Sequence, residues 1–160
     1  MNIIIAGAGE VGSHLAKMLS KEADMLTIID NDPARLNKLS EIADVITVQG
    51  QPTSIATLMQ AGVENADLFI AVSPAQQQDV NILSALLAKK LGSKKVTARV
   101  NNDEYMHHVD KLMFTELGID LLFYPEKVAS YELADLLRQT GTSECMEFAR
   151  GMLQMVVFRL

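Results

Sequence analysis

The stretch NIIIAGAGEVG, residues 2–12, joins an apolar run to a glycine motif. The run is typical of a strand that is buried on both faces of a sheet, and Gly7, Gly9 and Gly12 complete the pattern G-x-G-x-x-G. A second apolar run, Met25–Asp30, ends in an acidic residue. A strand, a glycine turn, a helix and an acidic residue about 20 positions later together form the fingerprint of a dinucleotide-binding βαβ unit.

Each glycine of this motif has a physical task in such a unit. Gly7 permits a tight turn, Gly9 lets the backbone approach a pyrophosphate, and Gly12 lets the helix pack closely on the strand. The unpaired N–H groups at the start of the helix then point at the phosphates. The residues expected to form this part of the site are Gly7, Ala8, Gly9, Glu10, Val11 and Gly12. The alternative interpretation is an ordinary strand-to-helix turn.

Acidic residues near the motif indicate which nucleotide it takes. Asp30 is suited to bind the two hydroxyls of an adenine ribose, and its charge repels a 2′-phosphate, which favours NAD over NADP. The alternative is a solvated or capping carboxylate. Glu10 lies in the first helical turn, where it would crowd a chain of phosphates and so disfavours a triphosphate. Asn31 is a further candidate beside the ribose, whereas Asp32 precedes Pro33 and is expected to cap the next helix.

Apolar runs continue to alternate with segments of helical period along the chain. The six predicted strands, each expected to be buried on both faces, are Asn2–Ala6, Met25–Asp30, Asp44–Gln49, Asp67–Val72, Lys95–Val100 and Ile119–Phe123. The helical residues expected to face the core are Val11, Leu15, Met18 and Leu19, then Leu36, Leu39 and Ile42, then Val80, Leu83, Leu87 and Leu91. This alternation predicts an α/β fold with a doubly wound parallel sheet of the Rossmann type.

The end of the chain has a different pattern. Pro125 opens a helix that Gly141 is expected to close, with an apolar stripe formed by Val128, Leu133, Leu136 and Leu137. Alternating residues on both sides of Gly151 then predict a β-hairpin, which is marginal alone and must pack on something else. We therefore expect a nucleotide-binding domain over residues 1–124, a separate helix over 125–141 and the start of a following lobe over 142–160.

Further candidate residues follow the other strands. The carboxyl edge of a parallel sheet is where ligands bind, and the residues placed there by the prediction are Gln51, Pro52, Ser73, Pro74 and Arg99. Arg99 could bind a phosphate as a cation at the end of a buried strand. Pairing with a carboxylate such as Asp103 explains it equally well.

Composition excludes several classes of protein. The chain has 160 residues, a net charge of −6 and 49% hydrophobic residues, which suits one globular domain and lacks the cationic surface that nucleic acid requires. No run approaches the roughly 18 apolar residues of a membrane span, and the start lacks a signal-peptide pattern. A single cysteine fits a reducing compartment, so we expect a cytoplasmic protein.

Catalytic and metal-binding patterns are not found in the sequence. There is no Tyr-x-x-x-Lys pair, no nucleophile elbow and no Cys/His dyad, and His14, His107 and His108 lack the spacing of a metal site. Nucleotide binding is therefore expected without hydride transfer, and no metal is expected.

Together these motifs give the chain a strong family resemblance. It resembles the N-terminal nucleotide-binding domain of the RCK/KTN family, of the kind found in regulatory proteins of Trk potassium-uptake systems. The segments that carry the resemblance are GAGEVG with Asp30, VQGQPTS, LFIAVS, DVNILSALLAKKLG, TARVNNDEY and GIDLLFYPEKVASYELADLL.

The resemblance implies a non-enzymatic cytoplasmic subunit that binds NAD(H). Such a subunit docks on a TrkH-like membrane potassium transporter or channel, peripheral to the inner membrane, and gates it through nucleotide-dependent movement. It implies homodimers that assemble into a larger ring, with the Pro125 helix swapped across a dimer. It also implies that Gly7 to Val11 hold the pyrophosphate, that Asp30 holds the ribose, and that Gln51, Pro52, Ser73, Pro74 and Arg99 line the rest. Alternatives are an NAD-dependent oxidoreductase domain and an ATP/ADP-responsive regulator.

Overall fold

The computed structural model describes residues 1–138, 144–148 and 153–157. The chain divides after Tyr124 into two compact units, Met1–Tyr124 and Pro125–Leu160. Among the described residues, no helix has the length and apolar composition needed to span a membrane.

The first unit is built on a six-stranded sheet. Its strands are β1 (Asn2–Ala6), β2 (Met25–Asp30), β3 (Ile46–Gln49), β4 (Leu68–Ala71), β5 (Lys95–Arg99) and β6 (Leu121–Phe123). They lie in the order β3-β2-β1-β4-β5-β6 and every neighbouring pair is parallel. This is the doubly wound order, so the predicted Rossmann-type fold is confirmed. The strand order reverses beside β1, between β2 and β4, and the carboxyl ends there form the crevice in which such folds bind ligands.

Helices cover both faces of this sheet. The helices are α1 (Glu10–Leu19), α2 (Pro33–Ser40), α3 (Ile55–Gln60), α4 (Gln78–Leu91) and α5 (His108–Glu116), with short 3₁₀ turns at Val63–Asn65, Ala75–Gln77 and Glu104–Met106. Successive side chains of a strand point to opposite faces. In β1, Ile3 and Ile5 join the core that includes Leu36 and Leu39 of α2, whereas Ile4 joins the core on the other face. Strand β1 is therefore apolar at consecutive positions.

The expectation that all six strands are buried on both faces is wrong at the sheet edges. Ile46 in β3 is 50% exposed and Leu121 in β6 is 56% exposed. Each of these strands lies at an edge of the sheet and has a neighbouring strand on one side only. The apolar composition of an edge strand therefore does not show that the strand is buried on both faces.

Several predicted core positions on the helices are also wrong. Met18, Ile42 and Leu83 are each about half exposed, at 58%, 51% and 48%. The buried positions of α1 and α4 are instead small or polar, namely Gly12 and Ala16 in α1 and Asn81, Ser84, Ala85 and Ala88 in α4. Small residues let a helix approach a sheet closely, so the larger apolar residues lie along the flanks of the helix. Apolar periodicity therefore locates the large residues of a helix but not the face of small residues that contacts the sheet.

The second unit begins with helix α6 (Pro125–Arg138), and strands β7 (Glu144–Phe148) and β8 (Leu153–Val157) follow. The strands pair antiparallel, with Met146 opposite Met155, so the predicted hairpin is confirmed. Val128, Leu133 and Leu136 are 57%, 62% and 63% exposed. Gly141, predicted to close the helix, and the side chain of Leu137 lie outside the described residues.

Two carboxylates form hydrogen bonds that join neighbouring strands at the amino edge of the sheet. Asp67 accepts hydrogen bonds from Lys94 and from the Asn2 N–H, and these lower its pKa below the usual 3.8. Burial alone would raise the pKa of Asp120, but hydrogen bonds from Lys89 and the Val96 N–H outweigh it and lower the pKa below 3.8. Both carboxylates are partly exposed to solvent, which screens their interactions, so each effect on stability is modest.

These carboxylates predict a pH dependence of stability. A depressed pKa in the folded state gives stability that is fully present above pH 3.8 and is lost as the pH falls through the folded value. We expect the double variant Asp67→Asn/Asp120→Asn to melt below the wild type near neutral pH and the gap to narrow in acid. Thermal melts from about pH 7 to about pH 2.5 measure this. Melting curves that stay equally far apart throughout would contradict it.

Candidate nucleotide-binding site

The glycine motif makes close contacts at two of its three glycines. Gly7 has a φ of +113°, which is left-handed, and a Cβ added there would lie 2.8 Å from the backbone nitrogen of Ser73. A Cβ added to Gly12 would lie 1.8 Å from the carbonyl oxygen of Gly7. A Cβ added to Gly9 would meet nothing within 4 Å. Gly7 and Gly12 are therefore required by the folded chain itself, whereas Gly9 borders open space.

Asp30 is fastened to the same loop. Asp30 is the last residue of β2 and is only 5% exposed. The Ala8 N–H donates to Oδ2 at 2.6 Å and the Asp32 N–H donates to Oδ1 at 2.9 Å. An ionised carboxylate offers about four acceptor positions. Asp30 can therefore hold the glycine loop in place and still accept hydrogen bonds from a ligand.

Arg35 is a charged residue near Asp30 that sequence reasoning missed. Its guanidinium lies 3.8 Å from Asp30 Oδ2 and 3.3 Å from Asp32 Oδ2. Asp32 also accepts a hydrogen bond from the Ala34 N–H at 2.9 Å, so its predicted role as the cap of α2 is confirmed. The spacing of Asp32 and Arg35 in the first turn of a helix is the signal that could have revealed this cation.

A cavity of about 450 Å³ lies at the carboxyl ends of β1 to β4. It collects seven of the residues predicted from the sequence, which are Gly7, Asp30, Asn31, Gln51, Pro52, Ser73 and Pro74. It is also lined by four that were not predicted for it, which are Asp32, Arg35, Gln77 and Val80. Its size is within the usual range for a small-molecule site of about 300–1,000 Å³.

The remaining predicted residues lie elsewhere. Ala8, Gly9 and Glu10 line an adjacent cleft between α1 and α2, of about 480 Å³, which shares Arg35 with the first cavity. In the part of the chain that the structure describes, neither of these two spaces is lined by Val11, Gly12 or Arg99. Val11 packs on the core, and Arg99 is half-buried at the end of β5. The glycine loop therefore borders both spaces, since Gly7 lines the first cavity, whereas Ala8, Gly9 and the start of α1 line the second.

Comparison with known proteins supplies the family. A sequence profile described as the TrkA-N domain matches residues 3–125. This chain belongs to the TrkA-N domain family. It is 42% identical over 158 residues to a Trk system potassium uptake protein TrkA homolog of Archaeoglobus fulgidus, and 35% identical over 161 residues to the Trk system potassium uptake protein TrkA of Haemophilus influenzae. These alignments include 98% and 99% of the chain but only 35% of each relative. This TrkA-N chain thus spans about a third of their length.

Solved structures share the TrkA-N fold. The GsuK RCK domain matches with a TM-score of 0.66 and 26% identity, covering 86% of this chain and 28% of that one. GsuK bound to ADP matches with a TM-score of 0.66 and 25% identity, covering 86% and 34%. The GsuK channel bound to NAD matches with a TM-score of 0.59 and 20% identity, covering 76% and 21%, which supports the fold alone.

Proposed function

We propose that this TrkA-N domain is the NAD(H)-sensing part of a cytoplasmic regulatory subunit for potassium uptake. The observation that carries the proposal is the arrangement of Asp30, which is buried at the end of β2, bonded to the glycine loop and faces a cavity of about 450 Å³. The names of the relatives, both Trk potassium uptake proteins, support the biological setting.

The residues present fit a dinucleotide. Open space at Gly9 and the unpaired N–H groups at the start of α1 suit a pyrophosphate, which the segment Gly7 to Val11 would hold. The remaining acceptor positions of Asp30 suit the hydroxyls of the adenine ribose. The residues proposed to line the rest of the site are Asn31, Gln51, Pro52, Ser73, Pro74 and Arg99. Arg35 adds a cation at the rim of the cavity.

The domain is proposed to regulate without catalysing a reaction. A bound nucleotide shifts a conformational equilibrium only by its difference in affinity for the two states. NAD⁺ and NADH would therefore bias a membrane potassium transporter subunit of the TrkH type by binding unequally to two arrangements of paired domains. The exposed apolar residues Val128, Tyr131, Leu133 and Leu136 of α6 support the pairing of two copies, which would assemble further into a ring.

A nucleotide titration tests the ligand. Calorimetry with the 160-residue chain should show binding of NADH or NAD⁺, and NADPH should bind at least about tenfold more weakly because its 2′-phosphate would lie against Asp30. NADPH binding as tight as that of NADH would contradict the role of Asp30. Tighter binding of ADP or ATP than of either dinucleotide would instead favour an ATP/ADP-responsive regulator, a possibility supported by the ADP complex of GsuK.

The regulatory part of the proposal is tested with the membrane subunit. Potassium flux is measured in vesicles that contain both subunits while NAD⁺ is exchanged for NADH. Equal affinities for the two forms together with an unchanged flux would refute nucleotide gating. Turnover of NADH with candidate substrates would instead support the alternative of an oxidoreductase domain.

A further inference from the structure

Asn81 is a buried polar residue beside the cavity that does not line it. It lies in the first turn of α4 and is 0% exposed. Its neighbours Gln77 and Val80 line the cavity, but Asn81 is turned into the protein. A buried amide needs hydrogen-bond partners, because leaving its polar atoms without them costs about 1–3 kcal/mol each.

The Asn81 side chain joins the ends of two neighbouring strands. Its Oδ1 accepts a hydrogen bond from the Ser73 N–H at 2.8 Å, and its Nδ2 donates to the Ser73 carbonyl oxygen at 3.2 Å. Nδ2 also donates to the Arg99 carbonyl oxygen at 3.1 Å. Ser73 follows β4 and Arg99 ends β5. One side chain thus holds the backbone of both strands where they reach the site.

Ser73, which Asn81 holds in place, packs directly against the glycine loop. The α-carbon of Gly7 packs so closely on the Val72–Ser73 peptide that an added Cβ would lie 2.8 Å from the Ser73 nitrogen. On the other side of the loop, the Ala8 N–H is held by Asp30 at 2.6 Å. The loop therefore lies between two buried polar side chains, with Asp30 bonded to it directly and Asn81 acting through Ser73.

We propose that Asn81 is a positioning residue for nucleotide binding, which holds Ser73 and thereby Gly7 in the geometry that receives the ligand. This inference rests on the proposed function for its ligand. Asn81 does not touch the nucleotide. Its loss is expected to widen the site by releasing the end of β4 from the start of α4.

The test compares Asn81→Ala with Ser84→Ala. Ser84 is a matched control because it is also 0% exposed in α4, and its hydroxyl donates to the Asn81 carbonyl oxygen within the same helix at 3.1 Å. A second variant, Asn81→Asp, keeps the size of the side chain and the acceptor for Ser73 while it removes both donors. Affinity is measured from the fluorescence of NADH itself, since the chain contains no tryptophan.

Asn81→Ala and Asn81→Asp should each weaken NADH binding at least about tenfold, whereas Ser84→Ala should bind within about twofold of the wild type whatever its melting temperature. In the ligand-free protein, backbone amide exchange at Ser73 and Gly7 should accelerate in Asn81→Ala, which removes the acceptor of the Ser73 N–H, and not in Ser84→Ala.

Three outcomes would overturn the proposal. One is a folded Asn81 variant that binds NADH as tightly as Ser84→Ala, and another is unchanged exchange at Ser73 and Gly7 in Asn81→Ala. The third is the failure of both Asn81 variants to fold, since that would assign Asn81 to the stability of the whole sheet. If the wild type binds no NADH but exchange accelerates as described, the positioning role stands and the proposed ligand is wrong.

Discussion

Replacing Gly12 by alanine is expected to destabilise the folded domain by about 3 kcal/mol or more, at the upper end of the usual cost of overpacking. A Cβ at this position would lie 1.8 Å from the Gly7 carbonyl oxygen and 3.3 Å from Val72 Cγ2. Backbone cannot move aside as a flexible side chain can, so either α1 shifts away from the loop or the loop opens. For a domain of this size the melting temperature should fall by about 10 °C.

The matched control is Gly9→Ala in the same motif. A Cβ at Gly9 meets nothing within 4 Å and the φ of Gly9 is −70°, which alanine adopts readily. We expect the melting temperature of this variant to stay close to that of the wild type, because alanine differs from glycine at an N-cap by less than about 1 kcal/mol. Its NADH affinity should nevertheless fall, because the methyl group would occupy space proposed for the pyrophosphate.

Thermal melts and NADH titrations on the two variants separate folding from binding within one motif. Equal melting temperatures for Gly12→Ala and Gly9→Ala would contradict the close contact between Gly12 and Gly7. Unchanged NADH affinity in Gly9→Ala would place the pyrophosphate elsewhere.

Replacing Asp30 by alanine is expected to weaken NADH binding by about 100-fold or more. A hydrogen bond to a charged group contributes about 1.5–3 kcal/mol, and two ribose hydroxyls would lose their acceptor. A loss of about 3 kcal/mol corresponds to about a hundredfold in affinity. The variant also removes the carboxylate that accepts from the N–H groups of Ala8 and Asp32. The glycine loop thereby loses its hydrogen bond to Asp30, while its packing against Ser73 remains.

Asp67→Ala is the control for this second effect. Asp67 is likewise a carboxylate that accepts a backbone N–H, that of Asn2 at 2.8 Å, but it lies at the amino edge of the sheet, opposite the site. We expect Asp67→Ala to lower the melting temperature without changing the NADH affinity. Calorimetric titration of both variants well below their melting temperatures measures the difference. An Asp30→Ala protein that binds NADH as tightly as Asp67→Ala would refute the ribose assignment.

Part of the candidate site could be predicted from the sequence because it depends on local chemistry. A motif and its spacing predict Gly7 and Asp30, and the rule that ligands bind where parallel strands end predicts Pro52 and Ser73. Both kinds of evidence need only the order of elements along the chain. They do not need the packing of one element on another.

Other parts of the site depend on packing that no local pattern reports. Arg35 was missed because a charged residue in a helix is usually a solvated one, and Asn81 because a polar residue at a buried helical position breaks the apolar period. The apolar period predicts Met18 and Leu83 in the core for the converse reason, since large apolar residues dominate periodicity while small ones make the contact with the sheet.

By itself, the sequence determined the fold class and the edge of the sheet where a site forms, because short apolar runs, helical periods and glycine motifs act through neighbouring residues. The tertiary structure alone decided which glycine faces open space, and it alone joined Asp30 to Ala8, 22 positions away, and Asn81 to Arg99, 18 positions away. These contacts exist only after parallel strands have aligned and a helix has packed across them. Their energies therefore depend on the assembled sheet, which the local pattern of residues does not contain.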